Sequence, residues 1–310
     1  MLRCIICGLL PGFLMLLTGI EGLRLGLARG LGARWQGLLE KGTGNPLIGA
    51  ILGFVVTALL QSSSAVTVMT IALVNAGVMG LKEAFSVVIG ANVGTTLTAQ
   101  VAVFSAGRLG LPLVAGGAIM CLWRRSRTAG LSLSGTGLIF LGIETMTRSL
   151  APVAQSKAFH HLMAGFGQNA AWGIVFGALV TAIVQSSSAV TCVVVAMARE
   201  GIIGLTAAVA LTLGSNIGTC VTGFLAGVRS SQPARAVAVA NLAFNVAGVL
   251  VVFPMLEQFV WVISRLSPDP GQQAAYAHML FNVLSGVGGL LFLDQFVGLV
   301  RRVLGIQDWR

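Results

Sequence analysis

Long apolar runs, each broken at a telling place, dominate this chain. Residues 4–22 form a first apolar stretch of membrane-span length. Residues 23–44 mix Arg24, Arg29, Arg34 and Lys41 with Leu, Gly and Trp35, which predicts an amphipathic segment at the membrane interface. Asn45-Pro46 opens the next helix, because Pro is tolerated in a first turn. That helix, 46–60, rises only about 22 Å, short of the roughly 30 Å hydrocarbon core. The apolar segment 65–79 is equally short. Between the two stands Gln61-Ser62-Ser63-Ser64. Two half-length helices joined at a polar tip predict a re-entrant hairpin, a shape tolerated only where protein or a wet cavity covers it. The run 84–106 contains Gly90-Ala91-Asn92-Val93-Gly94-Thr95-Thr96-Leu97-Thr98, and the glycines around Asn92 predict a locally broken helix. Spans follow at 109–123 and 130–147, separated by Arg124-Arg125-Ser126-Arg127. Residues 148–171, with Arg148, Lys157, His160 and His161, read as interfacial.

The pattern then restarts. Positions 173–223 align without a gap to 49–99, and 22 of the 51 pairs are identical, more than chance supplies even in apolar sequence. Gln185-Ser186-Ser187-Ser188-Ala189-Val190-Thr191 repeats Gln61-Ser62-Ser63-Ser64-Ala65-Val66-Thr67. Gly214-Ser215-Asn216-Ile217-Gly218-Thr219 repeats the Gly-Asn-Gly stretch. Two closing spans, 234–256 and 275–299, carry Phe244-Asn245 and Phe281-Asn282, with Pro268-Asp269-Pro270 between them. The chain thus divides into a first helix and interfacial segment (1–44), a first repeat (45–147), an interfacial segment with the second repeat and closing helices (148–300), and a tail (301–310). The class is an all-α polytopic membrane protein. Loop charges leave the relative orientation of the repeats open.

Composition narrows the class further. Apolar residues make up 56% and charged residues 9%, against about a quarter charged in soluble domains. The net charge of +10 falls between apolar runs, as in loops held on the cytoplasmic side. No basic patch is interleaved with aromatics, which excludes nucleic acid as a partner. Cys4-x-x-Cys7 lacks a βαβ context, so all five Cys read as small membrane residues. Met1-Leu2-Arg3 resembles the head of a signal peptide, but no small-x-small cleavage site precedes Glu21, so the first run reads as a membrane helix.

The tips carry the chemistry. A helix begins within Ser62–Ser64, and Ser is a preferred N-cap. A helix N-terminus offers free N–H groups and a positive dipole end, which suit an anion. Hydroxyls both donate and accept, so they also suit a protonated oxyanion. Neither motif contains Lys or Arg. Moving a divalent anion inward against 100 mV costs about 4.6 kcal/mol at roughly 2.3 per charge; co-bound cations solve both problems. The Gly-Asn-Gly-Thr stretches offer the hard oxygen ligands a small cation prefers. Thr57 and Thr181 lie one turn before each Gln, on the same face. Ser, Thr and Gly also serve plain helix packing in membranes, but in-register duplication favours a site. Asn245 and Asn282 read either as interhelical hydrogen bonds or as site residues, and His278 as interfacial or structural. Glu144, Glu257 and Asp294 lie in or at the ends of apolar runs.

These residues resemble the type II sodium-dependent phosphate cotransporter family, in its bacterial branch. Twin Gln-Ser-Ser-Ser motifs, each followed by Gly-(Ala/Ser)-Asn-(Val/Ile)-Gly-Thr, are that family's mark. Ala234 to Asn245 and Ala275 to Asn282 are similar to its Ala…His…Phe-Asn signatures; the second keeps His278 and the first has Asn241 there. The resemblance spans roughly 45–300. It implies sodium-coupled movement of inorganic phosphate, two inverted repeats with re-entrant hairpins, a homodimer, and the bacterial cytoplasmic membrane. It assigns phosphate to Gln61, Ser62, Ser63, Ser64, Gln185, Ser186, Ser187 and Ser188. It assigns sodium, the co-substrate, to Thr57, Asn92, Thr95, Thr181, Asn216 and Thr219, with Thr67, Thr191, Asn245 and Asn282 in support. Many bacterial relatives append a C-terminal helical regulatory domain, and none is expected here past Arg310. Other readings are a transporter of another oxyanion or one driven by protons, and a phosphate-sensing scaffold that moves nothing. An intramembrane enzyme is disfavoured, since no His/Asp/Glu cluster or Ser–His pairing sits in the apolar segments.

Overall fold

In the computed structural model, which describes residues 2–31, 44–103, 107–154, 169–228 and 230–306, every regular element among the described residues is helical. Six stretches are long and apolar enough to cross a membrane; the chain is a multi-pass membrane protein. Helix α1 spans Leu2–Leu31. It does not stop near residue 22 as expected. Gly12, Gly19 and Gly26 form a stripe that seats it on helix α6 (Arg127–Ala154): a Cβ at Gly19 would stand 2.7 Å from the Gly135 carbonyl oxygen. A seven-residue stripe stays in line only on a continuous helix, so residues 23–31 extend α1 instead of turning onto the interface. The rest of that expected interfacial segment (32–43) lies outside the described residues, as do Lys157, His160 and His161.

The first repeat is built from α2 (Pro46–Leu60), α3 (Ser63–Asn75) and α4 (Leu81–Val103). Asn45 caps α2 by accepting from the Leu47 amide at 2.9 Å. The second repeat is α7 (Ala170–Val184), α8 (Ser187–Arg199) and α9 (Leu205–Gly227). All six boundaries of the second set lie 124 residues after their counterparts, the same shift as in sequence. Helix α5 (Gly107–Cys121) and then α6 follow α4 and precede α7.

Helices α4 and α9 correct one expectation. Both run unbroken through the Gly-Asn-Gly stretches. The glycines face the first helix of each repeat at backbone contact. A Cβ at Gly90 would fall 1.8 Å from the Ala50 carbonyl oxygen, and one at Gly214 would fall 2.0 Å from that of Ile174. Gly53 and Gly177 mirror this, facing the Val87 and Leu211 oxygens at 2.0 and 2.2 Å. Each glycine costs a helix about 1 kcal/mol relative to Ala, offset by the close approach of two backbones.

Each outgoing helix is tied at its far end to the other half of the molecule. Asn75, ending α3, accepts from the Ser231 amide at 2.8 Å, just beyond the end of α9. Arg199, ending α8, donates to the Val103 carbonyl at 3.2 Å, at the end of α4, and pairs with Asp269 at 2.7 Å. Helix α10 (Gln232–Val252) then leads through a 3₁₀ turn, Phe253–Met255, into α11 (Leu256–Leu266). Helix α12 (Pro270–Leu291) and α13 (Leu293–Leu304) replace the single closing span expected at 275–299. Helix α13 buries Leu293, Val297 and Val300 and stacks Phe296 on Phe85 at 5.0 Å, while Arg301 and Arg302 end its last turn. One apolar face and a basic end suit a helix lying along the body better than one spanning it. Asp294 pairs with Lys82 at 2.6 Å and Glu144 with Arg148, so both acids are matched with bases.

Two predictions follow from this packing. Gly90→Ala should cost about 1–3 kcal/mol by overpacking, whereas Gly288→Ala, with nothing within 4 Å of the added methyl, should be tolerated; thermal unfolding in detergent reads the difference. At Asp269, burial raises the carboxyl pKa, but hydrogen bonds from Arg199 and the Gly271 amide outweigh it and hold it below the ordinary range. The clamp's contribution is present above the unfolded value of about 3.9 and lost as pH falls through the lower native value. Asp269→Asn should therefore lower the melting temperature at neutral pH and flatten its acid dependence below about pH 4.

Candidate functional site

The two tips meet. Gln61, Ser62, Ser63, Ser64, Thr95, Gln185, Ser186, Ser187, Ser188 and Thr219 line one cavity of about 30 Å³. Its walls are amides and hydroxyls, with no charged side chain among them. A larger cavity of about 610 Å³ between α10, α11 and α12 is lined mainly by apolar side chains such as Phe244, Phe259 and Phe292, and offers an anion little.

Local backbone geometry makes the tips. Gln61 and Gln185 adopt φ 53° and 57°, the two positive values at non-glycine positions among the described residues. Such a conformation costs on the order of 1–3 kcal/mol and is ordinarily given to Gly. The turn lets the Gln61 amide N–H bond the Thr57 carbonyl at 2.7 Å, closing α2, and Gln185 repeats this on Thr181. Ser62 and Ser186 then cap α3 and α8, each hydroxyl oxygen accepting from an amide three residues on, Ala65 or Ala189, at 3.2 Å. Those oxygens accept, so their protons remain available to a bound acceptor. Two helix N-termini thus border one cavity, each worth about +0.5 charge.

Thr95 joins the halves. Ser63 donates to its hydroxyl at 3.4 Å, and the Ser188 hydroxyl lies 3.4 Å from it on the other side. Ser63, Ser188 and Thr95 are all buried. Around Gln61 the contacts are closer: Thr98 donates to its Oε1 at 2.5 Å, and its Nε2 donates to the Ala58 carbonyl.

The remaining sequence candidates sit outside the cavity lining. Thr57 and Thr181 are fully buried one turn below the tips, and neither hydroxyl has a hydrogen-bond partner. Asn92 donates to the Asn241 amide oxygen at 3.2 Å, and Asn245 donates to the same oxygen at 3.0 Å. Asn282 donates to Asn216 at 3.0 Å, an interhelical bond between α12 and α9. Thr67 packs toward Gly223, and Thr191 is buried with an unpartnered hydroxyl. His278 is fully buried in α12, with both ring nitrogens unpartnered, and lies outside the cavity lining. Sequence reasoning missed Thr98 as the partner of Gln61. Its identity with Thr222 at the same repeat position was the available signal. No group of three or more His, Cys, Asp or Glu suited to a metal ion occurs among the described residues.

The chain is similar to known proteins over most of its length. The family described as Na+/Pi-cotransporter matches twice, over residues 15–148 and 142–284. The chain is 35% identical over 259 residues to "Uncharacterized protein YqeW" of Bacillus subtilis, covering 83% of this chain and 84% of that protein. It is 29% identical over 263 residues to "Putative inorganic phosphate export protein YjbB" of Escherichia coli, covering 84% of this chain but 48% of that longer protein. Over 88 residues, 27% of the chain and 14% of the relative, it is 40% identical to "Sodium-dependent phosphate transport protein 2A" of Oryctolagus cuniculus. No solved structure matches the chain at a significant level.

The Thr95 bridge is testable without any ligand. Ser63→Ala and Ser188→Ala should be coupled by about 0.5 kcal/mol in a double-mutant cycle of stability, and the coupling should vanish when the cycle is repeated on Thr95→Val. Additive effects on the unmodified background would show that Thr95 does not join the halves.

Proposed function

The chain belongs to the Na+/Pi-cotransporter family, and from that premise we propose that it is a secondary transporter coupling sodium ions to the movement of inorganic phosphate. One observation carries the proposal: two serine-capped helix N-termini, from two copies of one sequence, border a single uncharged cavity. Phosphate binds there, held by Gln61, Ser62, Ser63, Ser64, Gln185, Ser186, Ser187 and Ser188. The two helix ends together balance about one negative charge, and sodium balances the rest of a divalent anion.

Sodium is assigned to the hydroxyls of Thr57, Thr95, Thr181 and Thr219, with Asn92 and Asn216 beside them. The support is chemical. Thr57 and Thr181 are fully buried with unpartnered hydroxyls, and a buried polar group without a partner costs stability. A small cation beneath each tip would satisfy it. Asn92 and Asn216 fasten α10 and α12 to the long helices. They act from there, as do Asn245, Asn282, Thr67 and Thr191.

The repeats are inverted in this proposal, and each short helix pair is a re-entrant hairpin. Two ties support that reading. Helix α3 runs from a tip beside Thr95 back to the start of α4, yet its end bonds Ser231 just past the end of α9. Helix α8 likewise ends at Val103, the end of α4. Each outgoing helix therefore runs against its own long helix and along the other one, so α4 and α9 point in opposite senses. A homodimer in the bacterial cytoplasmic membrane completes the proposal on the family resemblance alone. Pseudo-symmetry lets the site work in either direction. An outward flux, named for the relative YjbB, requires only that the gradients allow it.

Uptake of radiolabelled phosphate by proteoliposomes decides the matter, with the sodium gradient imposed inward, imposed outward, or replaced by a proton gradient. Accumulation should follow sodium alone. Ser62→Ala and Ser186→Ala should each raise the apparent KM for phosphate roughly 10- to 100-fold, the worth of a hydrogen bond to a charged group. Thr57→Val should instead raise the sodium concentration needed. Phosphate bound but not moved would leave a sensor; movement driven by protons would replace sodium.

A further inference from the structure

The repeats are identical in sequence where they differ in structure. Gln61 and Gln185 share position and backbone conformation, and Thr98 and Thr222 share a position at the ends of the Gly-Asn-Gly-Thr stretches. In the first repeat, the Thr98 hydroxyl donates to Gln61 Oε1 at 2.5 Å and Gln61 is half-buried. In the second, the Thr222 hydroxyl is buried with no hydrogen-bond partner, and Gln185 is exposed. The same donor and acceptor are bonded in one half and apart in the other.

An unmet buried hydroxyl costs stability. The acceptor that Thr98 uses in the first repeat is also present in the second, at Gln185. Identity at these positions permits the converse arrangement, with the bond in the second repeat and not in the first.

We propose that Thr98 and Thr222 are reciprocal positioning residues: each holds its own repeat's tip glutamine when that half is closed, and only one of the two bonds exists at a time. The structure holds the conformation in which Thr98 engages Gln61. In its counterpart Thr222 donates to Gln185 Oε1, Gln61 leaves Thr98, and the cavity opens on the Gln61 side. A glutamine in the left-handed conformation suits this role, since its side chain can swing while its backbone keeps α2 or α7 closed. The proposal rests on the two-repeat reading above. Its test uses neither phosphate nor sodium, so it stands or falls apart from the assigned cargo.

Hydrogen–deuterium exchange of the reconstituted full chain reads the tip amides around 58–66. Thr98→Val removes the bond and should speed exchange there roughly 2- to 10-fold, the population change worth one hydrogen bond. Thr98→Ser keeps the donor and should restore the wild-type rate. The decisive variant is Thr222→Val, which removes a hydroxyl that bonds nothing in this conformation. It disfavours the alternative conformer, so it should slow exchange around 58–66 by a similar factor while helices remote from both tips are unchanged. An unchanged or faster rate at 58–66 in Thr222→Val overturns the proposal, as does Thr98→Ser behaving like Thr98→Val.

Discussion

A helix end packed inside a protein must satisfy its backbone groups without bulk water, and this structure depends on how that is done twice. At Gln61 and Gln185 the chain turns through a left-handed residue, so that the amide closes the incoming helix on Thr57 or Thr181. One residue later a serine hydroxyl closes the start of the outgoing helix. Several first-turn N–H groups still lack intrahelical acceptors. The two helix starts border one cavity, and in the proposed function their free donors are what would hold an anion. Removing one tip would leave half of the cavity's lining.

The packing around the tips holds them against each other. Glycines on α4 and α9 let the incoming helices lie at backbone contact. Those contacts fix the height of each tip against Thr95 and Thr219. The outgoing helices are tied across the molecule, by a neutral bond at Asn75 and an ion pair at Arg199. The two halves therefore share a plan while differing in the chemistry of their ties and in the state of their glutamines.

Much of this was legible in the residues. Asn45-Pro46 marked a helix start, and Gln-Ser-Ser-Ser marked both tips because a polar run that recurs in register within apolar stretches favours a site over plain helix packing. Other features were not legible, for definite reasons. A glycine weakens a helix but also admits a neighbour, and local sequence cannot say whether a neighbour's carbonyl occupies the space; hence Gly90 and Gly214 read as breaks and are contacts. Residues 293–304 share the apolar character of α12, and only the split at Phe292 reveals an amphipathic helix. Asn92 and Asn216 belong to a motif whose spacing says nothing of which side chain points at the cavity. Thr57 and Thr181 were correctly set beneath the tips, but that their hydroxyls lack partners is visible only once the packing is complete.

The central claim is that two tips make one anion site. Equilibrium binding of labelled phosphate to the purified chain in sodium, counted per polypeptide, tests it directly. One phosphate per chain is predicted, with binding weakened alike by Ser62→Ala and by Ser186→Ala. Two phosphates per chain, or one site that survives unchanged when either serine is removed, would contradict it.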